Sequence, residues 1–380
     1  MHPIRKAPVA AAVLLAVATA AGCESGSATE PPPDFESAES GCPDVVGSAR
    51  EAVEEAQDVG APWSGPTTGP EAATGKTIVY IAQTMTNPGV AGVAGGVQEA
   101  GEVIGWRVRT LDGRGTPEGI QSAFDEAIGL DPDGIVLGSF DPASTAEQVE
   151  RANDAGIPVI GWHAVPEPGP SEDPELFTNV TTRVEDVARI SADWIIAHSN
   201  GNAGVVLFTD ASLPFAKNKS DLIREALETC PGVTLLSEED IAISEASTHT
   251  VGRTSTLMSR FGSSWTHSVA INDLYFDHAA PALRAAGAEG DGAPFNIGAG
   301  DGDPSAFERI NGREFQAATV PEPLSEQGWQ IIDEFNRAFA GEPASGYVAP
   351  VHITTSENSG GAAFWDSDGY REAYRQIWGR

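Results

Sequence analysis

The feature that most constrains this chain is an alternation that begins near Lys76. Short apolar or β-branched runs take turns with longer segments of helical spacing. The runs are TIVYIA (77–82), WRVRTL (106–111), GIVLGS (134–139), PVIGW (158–162), LFTNV (176–180), GVVLFT (204–209), VTLLSE (233–238), HSVAIN (267–272), FNIGAG (295–300) and FQAATV (315–320). Strands that alternate with helices predict parallel sheets covered on both faces. The strands are too many for one open sheet, so we expect two doubly wound α/β domains.

The N-terminus predicts export. A short basic start is followed by an apolar segment at 7–21 and by small residues before Cys23. This segment is too short to span a membrane, and it is typical of a secretion signal over residues 1–22. Its Ala-Ala-Gly-Cys end resembles the lipobox of bacterial lipoproteins, in which the Cys is acylated. The resemblance implies an extracytoplasmic protein that is anchored to the cell membrane by lipid on Cys23. The alternative is an ordinary cleaved signal.

The region that follows the signal is expected to be a spacer. Residues 23–41 are rich in Ser, Pro and acids, and they predict a disordered tether. Residues 42–75 are an N-terminal extension in which VVGSAREAVEEAQDVG indicates a helix. If Cys23 is lipidated, Cys42 and Cys230 remain, and they form either one disulfide or two unpaired thiols.

Composition and motifs argue against several classes of function. The formal net charge is −33, from 22 Lys and Arg against 55 Asp and Glu, and such a field repels nucleic acid. The glycine-rich stretch after the first run lacks the G-x-G-x-x-G spacing, and Pro88 removes one backbone N–H that a phosphate would need. We found no nucleophile elbow and no metal-ligand spacing of His residues. We therefore expect no enzyme, no cofactor and no metal.

Polar or aromatic residues follow nearly every predicted strand. In doubly wound sheets, ligands meet the loops at the carboxyl ends of the strands. The candidate ligand-binding residues taken from these loops are Asn87, Gly89, Asp141, Trp162, His163, Asp210, Asn272, Asp301 and Glu322. Each residue alone could instead be a helix cap or a turn residue, because Asp and Asn favour both.

Six stretches together resemble one known family. They are IVYIAQTMTNPG, PDGIVLGSFDP, ANDAGIPVIGWH, VAINDLYFDHAAPALRAAG, IGAGDGDPSAFERI and AATVPEPLSEQGW. In order and spacing they are similar to the sugar-binding proteins of ABC importers with the type I periplasmic binding protein fold. The resemblance implies two lobes joined by a three-strand hinge, with lobe one at 76–180 and 323–348 and lobe two at 181–322 and 349–380. The crossings would lie near Val180, Glu322 and Ala349.

The resemblance also implies roles for single residues. Asn87 matches the family's Asn after the first strand, and Asn272 matches the Asn of its NDxxA motif. Asp301 corresponds to the Asp of the next loop, with one residue inserted before it. Lys217 is the nearest match to an Arg in the first helix of lobe two.

The chain departs from the family at three places. Gly89 and Val90 stand where two aromatic residues usually clamp the sugar. Trp162 and His163 replace an Asp-Arg pair, and Trp162 could supply the missing stacking face. Glu322 takes the place of a Gln at the last crossing.

The resemblance implies a monomeric receptor that captures a small neutral sugar or polyol. It would deliver this solute to an ABC permease with a separate ATPase subunit. A cationic solute is the alternative that the acidic composition favours. A sensor that docks a membrane receptor and an enzyme on the same fold are the other two alternatives.

Overall fold

The structure, a computed structural model, describes residue 35 and residues 39–57 and 63–380. It contains two six-stranded sheets flanked by helices, and the prediction of two doubly wound α/β domains is confirmed. The predicted signal peptide and Cys23 lie outside the described residues. Among the described residues, no helix is both long and apolar enough to cross a membrane.

Lobe one is built on the sheet with strand order β2-β1-β3-β4-β6-β5, which is parallel except for β5. Its strands are β1 (Thr77–Ala82), β2 (Arg107–Asp112), β3 (Gly134–Gly138), β4 (Val159–Trp162), β5 (Gly169–Glu172) and β6 (Glu175–Val180). Its helices are α2 (Pro88–Ile104), α3 (Pro117–Gly129), α4 (Ala146–Asp154), α10 (Leu324–Ala340) and α11 (Tyr370–Trp378).

Lobe two is built on the sheet with strand order β12-β11-β10-β9-β7-β8, in which only β12 is antiparallel. Its strands are β7 (Ala203–Thr209), β8 (Val233–Asp240), β9 (His267–Ala270), β10 (Phe295–Gly298), β11 (Ala318–Thr319) and β12 (Thr354–Thr355). Its helices are α1 (Pro43–Ala56), α5 (Val184–His198), α6 (Pro214–Glu228), α7 (Ala246–Phe261), α8 (Leu274–Ala285) and α9 (Pro304–Gly312).

The central strands supply apolar side chains to both faces of each sheet. In β1, Ile78 and Tyr80 pack with α2, α10 and α11, whereas Val79 and Ile81 pack with α3 and α4 on the other face. This is the two-residue period of a strand that is buried on both sides. It explains why the β1 sequence is a continuous apolar run.

The glycines after β1 allow two helices to approach closely. A Cβ on Gly96 of α2 would lie 2.7 Å from the carbonyl oxygen of Ser325, and Gly328 of α10 stands directly opposite. The packing of α2 against α10 therefore needs these positions to lack side chains. The glycine-rich stretch serves helix packing rather than phosphate binding.

The C-terminal stretch differs from the predicted division into lobes. Residues 349–380 were assigned to lobe two, but only β12 joins its sheet. Helix α11 returns to lobe one, where Tyr374 and Trp378 pack with Trp329 of α10. The apolar face of α11 thus covers lobe one, and the chain crosses between lobes once more than expected.

The N-terminal extension contacts both lobes. Cys42 forms a disulfide with Cys230, and Val46, Ala49 and Val53 of α1 pack in the core of lobe two. Farther along, Trp63 lies against Tyr347 and Tyr374, and Asn336 and Arg337 of α10 bind backbone atoms at 68–73.

The described residues of the predicted tether contact lobe two. The amide of Gly41 donates to the carbonyl of Asn200, and the side chain of Asn202 donates to the carbonyl of Glu39. Phe35 lies against His267 and Phe295. These contacts place Phe35, Glu39 and Gly41 against lobe two, within the range for which the sequence predicts a disordered tether.

Candidate ligand-binding cleft

The candidate cleft lies where the carboxyl ends of strands from the two sheets face each other. Three non-glycine residues in the loops after β3, β4 and β10 have left-handed backbone. Ser139 (φ 65°) directly follows β3, His163 (φ 48°) directly follows β4, and Asp301 (φ 74°) lies three residues after the end of β10. This conformation is uncommon for non-glycine residues and is often retained at functional sites. All three side chains are buried.

Lobe one contributes Asn87 and Gly89 at the start of α2. The side-chain oxygen of Asn87 accepts from the amide of Gly89 at 3.0 Å and so caps the helix. A Cβ at Gly89 would lie 2.7 Å from Oδ1 of Asp301, which belongs to lobe two. Gly89 is therefore needed for the two lobes to approach at this point.

Lobe two contributes Asn272 and Asp301 from the loops after β9 and β10. The side-chain amide of Asn272 donates to the carboxylate of Asp301 and, across the cleft, to Oδ1 of Asn87 at 3.3 Å. The oxygen of Asn272 accepts from the amide of Leu274. The structure thus brings Asn87, Gly89, Asn272 and Asp301 together.

The aromatic wall of the cleft is arranged differently from the expectation. Trp162 is buried, and the ring of His163 is stacked on it with centroids 4.2 Å apart. His163 in turn faces Phe215 of lobe two at 4.7 Å. The aromatic surfaces that meet across the cleft are therefore those of His163 and Phe215, with Trp162 supporting His163 from behind.

Glu322 joins the hinge to the aromatic wall. Its carboxylate accepts from the hydroxyl of Thr182 at 2.6 Å and from the side-chain amide of Gln327 at 2.7 Å. The oxygen of Gln327 accepts from the indole N–H of Trp162 at 2.7 Å. Nε2 of His163 lies 3.4 Å from Glu322 and has no hydrogen-bond partner among the described residues, so it keeps capacity for a ligand.

The lysine that lies beside the cleft residues is Lys219, whereas the predicted Lys217 points away from them. The side chain of Lys217 is half-exposed and forms an ion pair with Asp221 at 2.6 Å, on the outer face of α6. Lys219 is buried, donates to the carbonyl of Ala299 at 2.6 Å and lies over the ring of Phe215 at 4.8 Å. Residues two apart on a helix do not share a face, so only one of the two can reach the cleft.

Burial and neighbouring charges shift the pKa values of the cleft groups in opposite directions. Burial raises the pKa of Asp301 to about 8, although Lys219 acts in the opposite direction. Burial would also raise the pKa of Glu322, but His163, Lys219 and Thr182 together lower it to about 2. The pKa of Lys219 is lowered by burial, and Glu322, Asp301 and Asp273 oppose this shift. Near neutral pH, Asp301 is therefore largely protonated, whereas Glu322 is ionised.

Two of the predicted site residues are used by the local backbone. One carboxylate oxygen of Asp210 accepts from the amide and hydroxyl of Ser212, and the other accepts from the amide of Ile243. Asp141 accepts from the amide of Ala143 at the start of a 3₁₀ turn. Both residues stabilise loops near the cleft, and neither forms a hydrogen bond or an ion pair with the cleft residues described above.

Sequence reasoning did not identify four residues of this arrangement: Thr182, Phe215, Lys219 and Gln327. Phe215 and Lys219 are four apart on α6, and this spacing could have indicated a shared face. Thr182 and Gln327 flank the two crossings that were expected near Val180 and Glu322. No pattern in the sequence distinguished them from ordinary hinge residues.

The family is established by a sequence model. Residues 78–343, well over half of the chain, match the model of a periplasmic binding protein domain, and the chain belongs to this family. No curated protein matches the sequence.

Solved structures show the same fold at low sequence identity. A sugar ABC transporter protein from Yersinia enterocolitica aligns with a TM-score of 0.68 at 17% identity, over 82% of this chain and 98% of that one. A solute-binding protein from Agrobacterium vitis with bound allitol gives 0.64 at 18% identity, over 80% and 99%. A second A. vitis protein, bound with α-D-tagatopyranose, gives 0.66 at 14% identity, over 76% and 97%. The two-lobed type I architecture is therefore confirmed.

Proposed function

We propose that this chain is an extracytoplasmic solute-binding protein that traps a small neutral sugar or polyol between its two lobes. The observation that carries the proposal is the cleft itself, where Asn87 and His163 of lobe one face Asn272, Asp301 and Lys219 of lobe two. Side-chain amides both donate to and accept from hydroxyls, which suits a ligand rich in hydroxyl groups. The aromatic faces of His163 and Phe215 suit the apolar face of a sugar or polyol.

The charge balance favours a neutral ligand over a cation. An organic cation would be expected to meet unpaired carboxylates. Here the pKa of Asp301 is raised to about 8, and Glu322 lies beside His163 and acts on Lys219. Because Asp301 is largely protonated near neutral pH, the cleft carries less negative charge than its number of carboxyl groups suggests. The relatives that were solved with allitol and tagatopyranose support the same class of ligand.

Binding would act by shifting the lobes toward the closed form. Ligand stabilises that form only by the free energy with which it prefers it. In the structure, Asn272 already bonds to Asn87 across the cleft, and a ligand would replace this contact with its own hydroxyls. We propose that the closed form delivers the solute to an ABC permease whose ATPase is a separate subunit, and that lipid on Cys23 holds the receptor at the membrane.

A thermal-shift screen of sugars and polyols, followed by calorimetry, tests the binding proposal. A ligand that binds only the native state raises the melting temperature by mass action. Ligand recovered unchanged after denaturation is the expected result, and turnover would instead reveal an enzyme. A screen in which only cations stabilise the protein would overturn the proposed ligand class.

The transport step needs a cellular test. Deletion of the gene should abolish uptake of the radiolabelled ligand, whereas retained uptake with loss of a transcriptional response would indicate a sensor. A Cys23→Ser variant should be released from the membrane fraction. Its retention there would contradict the lipid anchor without affecting the binding proposal.

A further inference from the structure

A second concave site lies on the hinge side of the molecule, away from the cleft. It is a groove of about 740 Å³ between α1, the first half of α5, the crossing at 350–352 and the loop at 358–368. Small-molecule sites in proteins typically enclose roughly 300–1,000 Å³, so the groove has the size for an organic molecule rather than for a bare ion.

The groove is built mainly from parts that the family model does not cover. Glu55, Ser64 and the residues from Pro350 onward lie outside the matched range of 78–343. Only Phe307 and three residues of α5 lie inside that range. The groove is thus a product of the N-terminal extension and the C-terminal stretch of this chain, and it is separate from the sugar cleft.

Carboxylates dominate the charge of the groove. Asp186 pairs with Arg189 at 3.4 Å, which balances the one arginine in the lining. Glu55, Asp366 and Asp368 also line the groove, and none of the three forms an ion pair within the described part of the chain. Arg371, which acts on Asp366 electrostatically, is itself bound to Glu99 at 2.8 Å. Asp366 accepts hydrogen bonds from the amide of Glu326 and the hydroxyl of Tyr370, and burial raises its pKa to about 7. Glu55 and Asp368 are exposed, and they are the two carboxylates left without a bonded cation.

Aromatic rings line the same groove as these carboxylates. Trp365 is stacked on His352 with centroids 4.7 Å apart, and the neighbouring Phe364 is 50% exposed. Burial lowers the pKa of His352 to about 4, so this imidazole adds no positive charge near neutral pH. An exposed Phe and a half-buried Trp in one groove with unpaired carboxylates form the combination that recognises organic cations, by cation–π attraction and by charge-assisted hydrogen bonds.

One buried polar group in the lining also lacks a partner. Thr354 is 1% exposed and lines the groove, and its hydroxyl makes no hydrogen bond to any described residue. A buried hydroxyl without a partner costs free energy.

We infer that this groove is a second ligand site that takes a small organic cation, such as a quaternary ammonium or guanidinium compound. Glu55 and Asp368 supply the charge, and Trp365 and Phe364 supply the aromatic surface. The walls belong to different lobes: Glu55 lies on α1, which is bonded to lobe two, and Asp366 accepts from the backbone of α10 in lobe one. Occupancy of the groove is therefore expected to affect the separation of the lobes.

The probes are choline, its neutral isostere 3,3-dimethylbutan-1-ol, and agmatine, each titrated by calorimetry into the mature protein. At least one of the two cations should bind at least ten-fold more tightly than the isostere, because only a cation interacts with the carboxylates. Equal affinity for the isostere, or no binding of either cation, would overturn the inference.

A pair of variants locates the binding. Glu55→Gln combined with Asp368→Asn removes two exposed carboxylates, and we expect affinity for the cation to fall at least ten-fold with no loss of folding. The matched control is Glu54→Gln combined with Glu357→Gln, which removes two exposed carboxylates that do not line the groove. Equal effects of the two pairs would mean that only net charge matters, and the site would be rejected.

A cleft variant separates this inference from the proposed function. Asn272→Ala should abolish sugar binding and leave the cation affinity within about two-fold of wild type. If Asn272→Ala abolished cation binding instead, the cation would occupy the cleft, and the second site would be excluded.

Discussion

Asn87 and Asn272 form a hydrogen bond between the lobes, with Nδ2 of Asn272 3.3 Å from Oδ1 of Asn87. The same oxygen of Asn87 accepts from the amide of Gly89. One side chain therefore begins helix α2 and also contacts the opposite lobe. This double use ties the geometry of the cleft to the start of a helix in the core of lobe one.

The first prediction concerns closure at Gly89. Gly89→Ala should lower ligand affinity at least ten-fold, because the added methyl would overlap the carboxylate of Asp301 when the lobes meet. The fold of lobe one should survive, since the clash is with the other lobe. Calorimetry measures the affinity, and circular dichroism checks the fold.

Gly95→Ala is the matched control for this change. It lies on the same helix, and a Cβ there would meet nothing within 4 Å. We expect unchanged affinity and a gain in stability of about 0.5–1 kcal/mol from the better helix former. Equal affinity in the Gly89→Ala and Gly95→Ala variants would show that Gly89 is not at the point of closure.

The second prediction distinguishes the two lysines of α6. Lys219→Met should reduce ligand affinity at least ten-fold, since it removes the buried ammonium that lies over Phe215 and acts on Glu322. Lys217→Met should change affinity by less than two-fold, because that side chain is half-exposed and pairs with Asp221. Calorimetry measures the ligand affinity of both variants, with the protein concentration corrected for the folded fraction. The reverse ranking would restore Lys217 as the site residue.

The two lysines of α6 show which features could be predicted from the sequence and which could not. The alternation of strands and helices, the parallel sheets and the loops at the strand ends follow from periodicity, and the structure confirms the fold. The helical register of α6 was not fixed by the same reasoning, because a shift of two residues moves a side chain to another face. The structure places Lys219, rather than Lys217, beside the cleft residues, so the sequence indicated the helix but not which of its two lysines faces the cleft.

The sequence could not predict which lobe α11 packs against, and the reason is different. Tyr370, Tyr374, Ile377 and Trp378 give this helix an apolar face, which predicts that it packs against a core. An apolar face does not specify which lobe it covers, because hydrophobic burial is not directional. Strands β5 and β12 were also missed, since GPSE has no apolar alternation and β12 has only two residues.

The third prediction concerns the asparagine cap. Asn87→Ser should lower affinity for a sugar or polyol about ten-fold while leaving stability nearly unchanged, because Ser still accepts from the amide of Gly89 but lacks the side-chain amide. Thr116→Ala, which removes the cap of α3 outside the cleft, should cost about 1 kcal/mol of stability and leave affinity unchanged. Urea unfolding and calorimetry separate the two effects. Unaltered affinity in Asn87→Ser would remove this amide from the site.

The fourth prediction is a pH dependence that arises from Asp301. Its pKa is about 8 in the folded protein and 3.8 when unperturbed, so between these values the unfolded chain loses a proton that the folded chain keeps. The folded state is therefore disfavoured progressively as pH rises from about 4 to 8. Asp301→Asn removes this effect, and the variant should gain stability over wild type between pH 4 and pH 8, as measured by urea unfolding.

Glu322 should behave in the opposite way. Its pKa is lowered from 4.5 to about 2, so its contribution is present above pH 4.5 and is lost as pH falls toward 2. Glu322→Gln should be less stable than wild type at pH 7, and the difference in stability should shrink below pH 4.

For Asp301, one outcome would contradict the raised pKa: a stability difference between Asp301→Asn and wild type that does not change between pH 4 and pH 8.

The fifth prediction concerns the disulfide between Cys42 and Cys230. It closes a loop of 188 residues in sequence, and removal of such a bond typically costs about 2–4 kcal/mol of stability. The double variant Cys42→Ser, Cys230→Ser should therefore unfold at lower urea concentration. Because α1 would then be held to lobe two by packing alone, the variant also tests the role of the extension between the lobes.

The extension is bonded to lobe two at Cys42 and packs on lobe one from Trp63 onward. The six residue steps from Gln57 to Trp63 can span at most about 20 Å, at roughly 3.5 Å per residue, so this connection limits how far the lobes can separate. Small-angle scattering should give a larger radius of gyration for the double variant than for wild type without ligand, and equal values with saturating ligand. Equal values in both conditions would show that the hinge crossings alone set the opening.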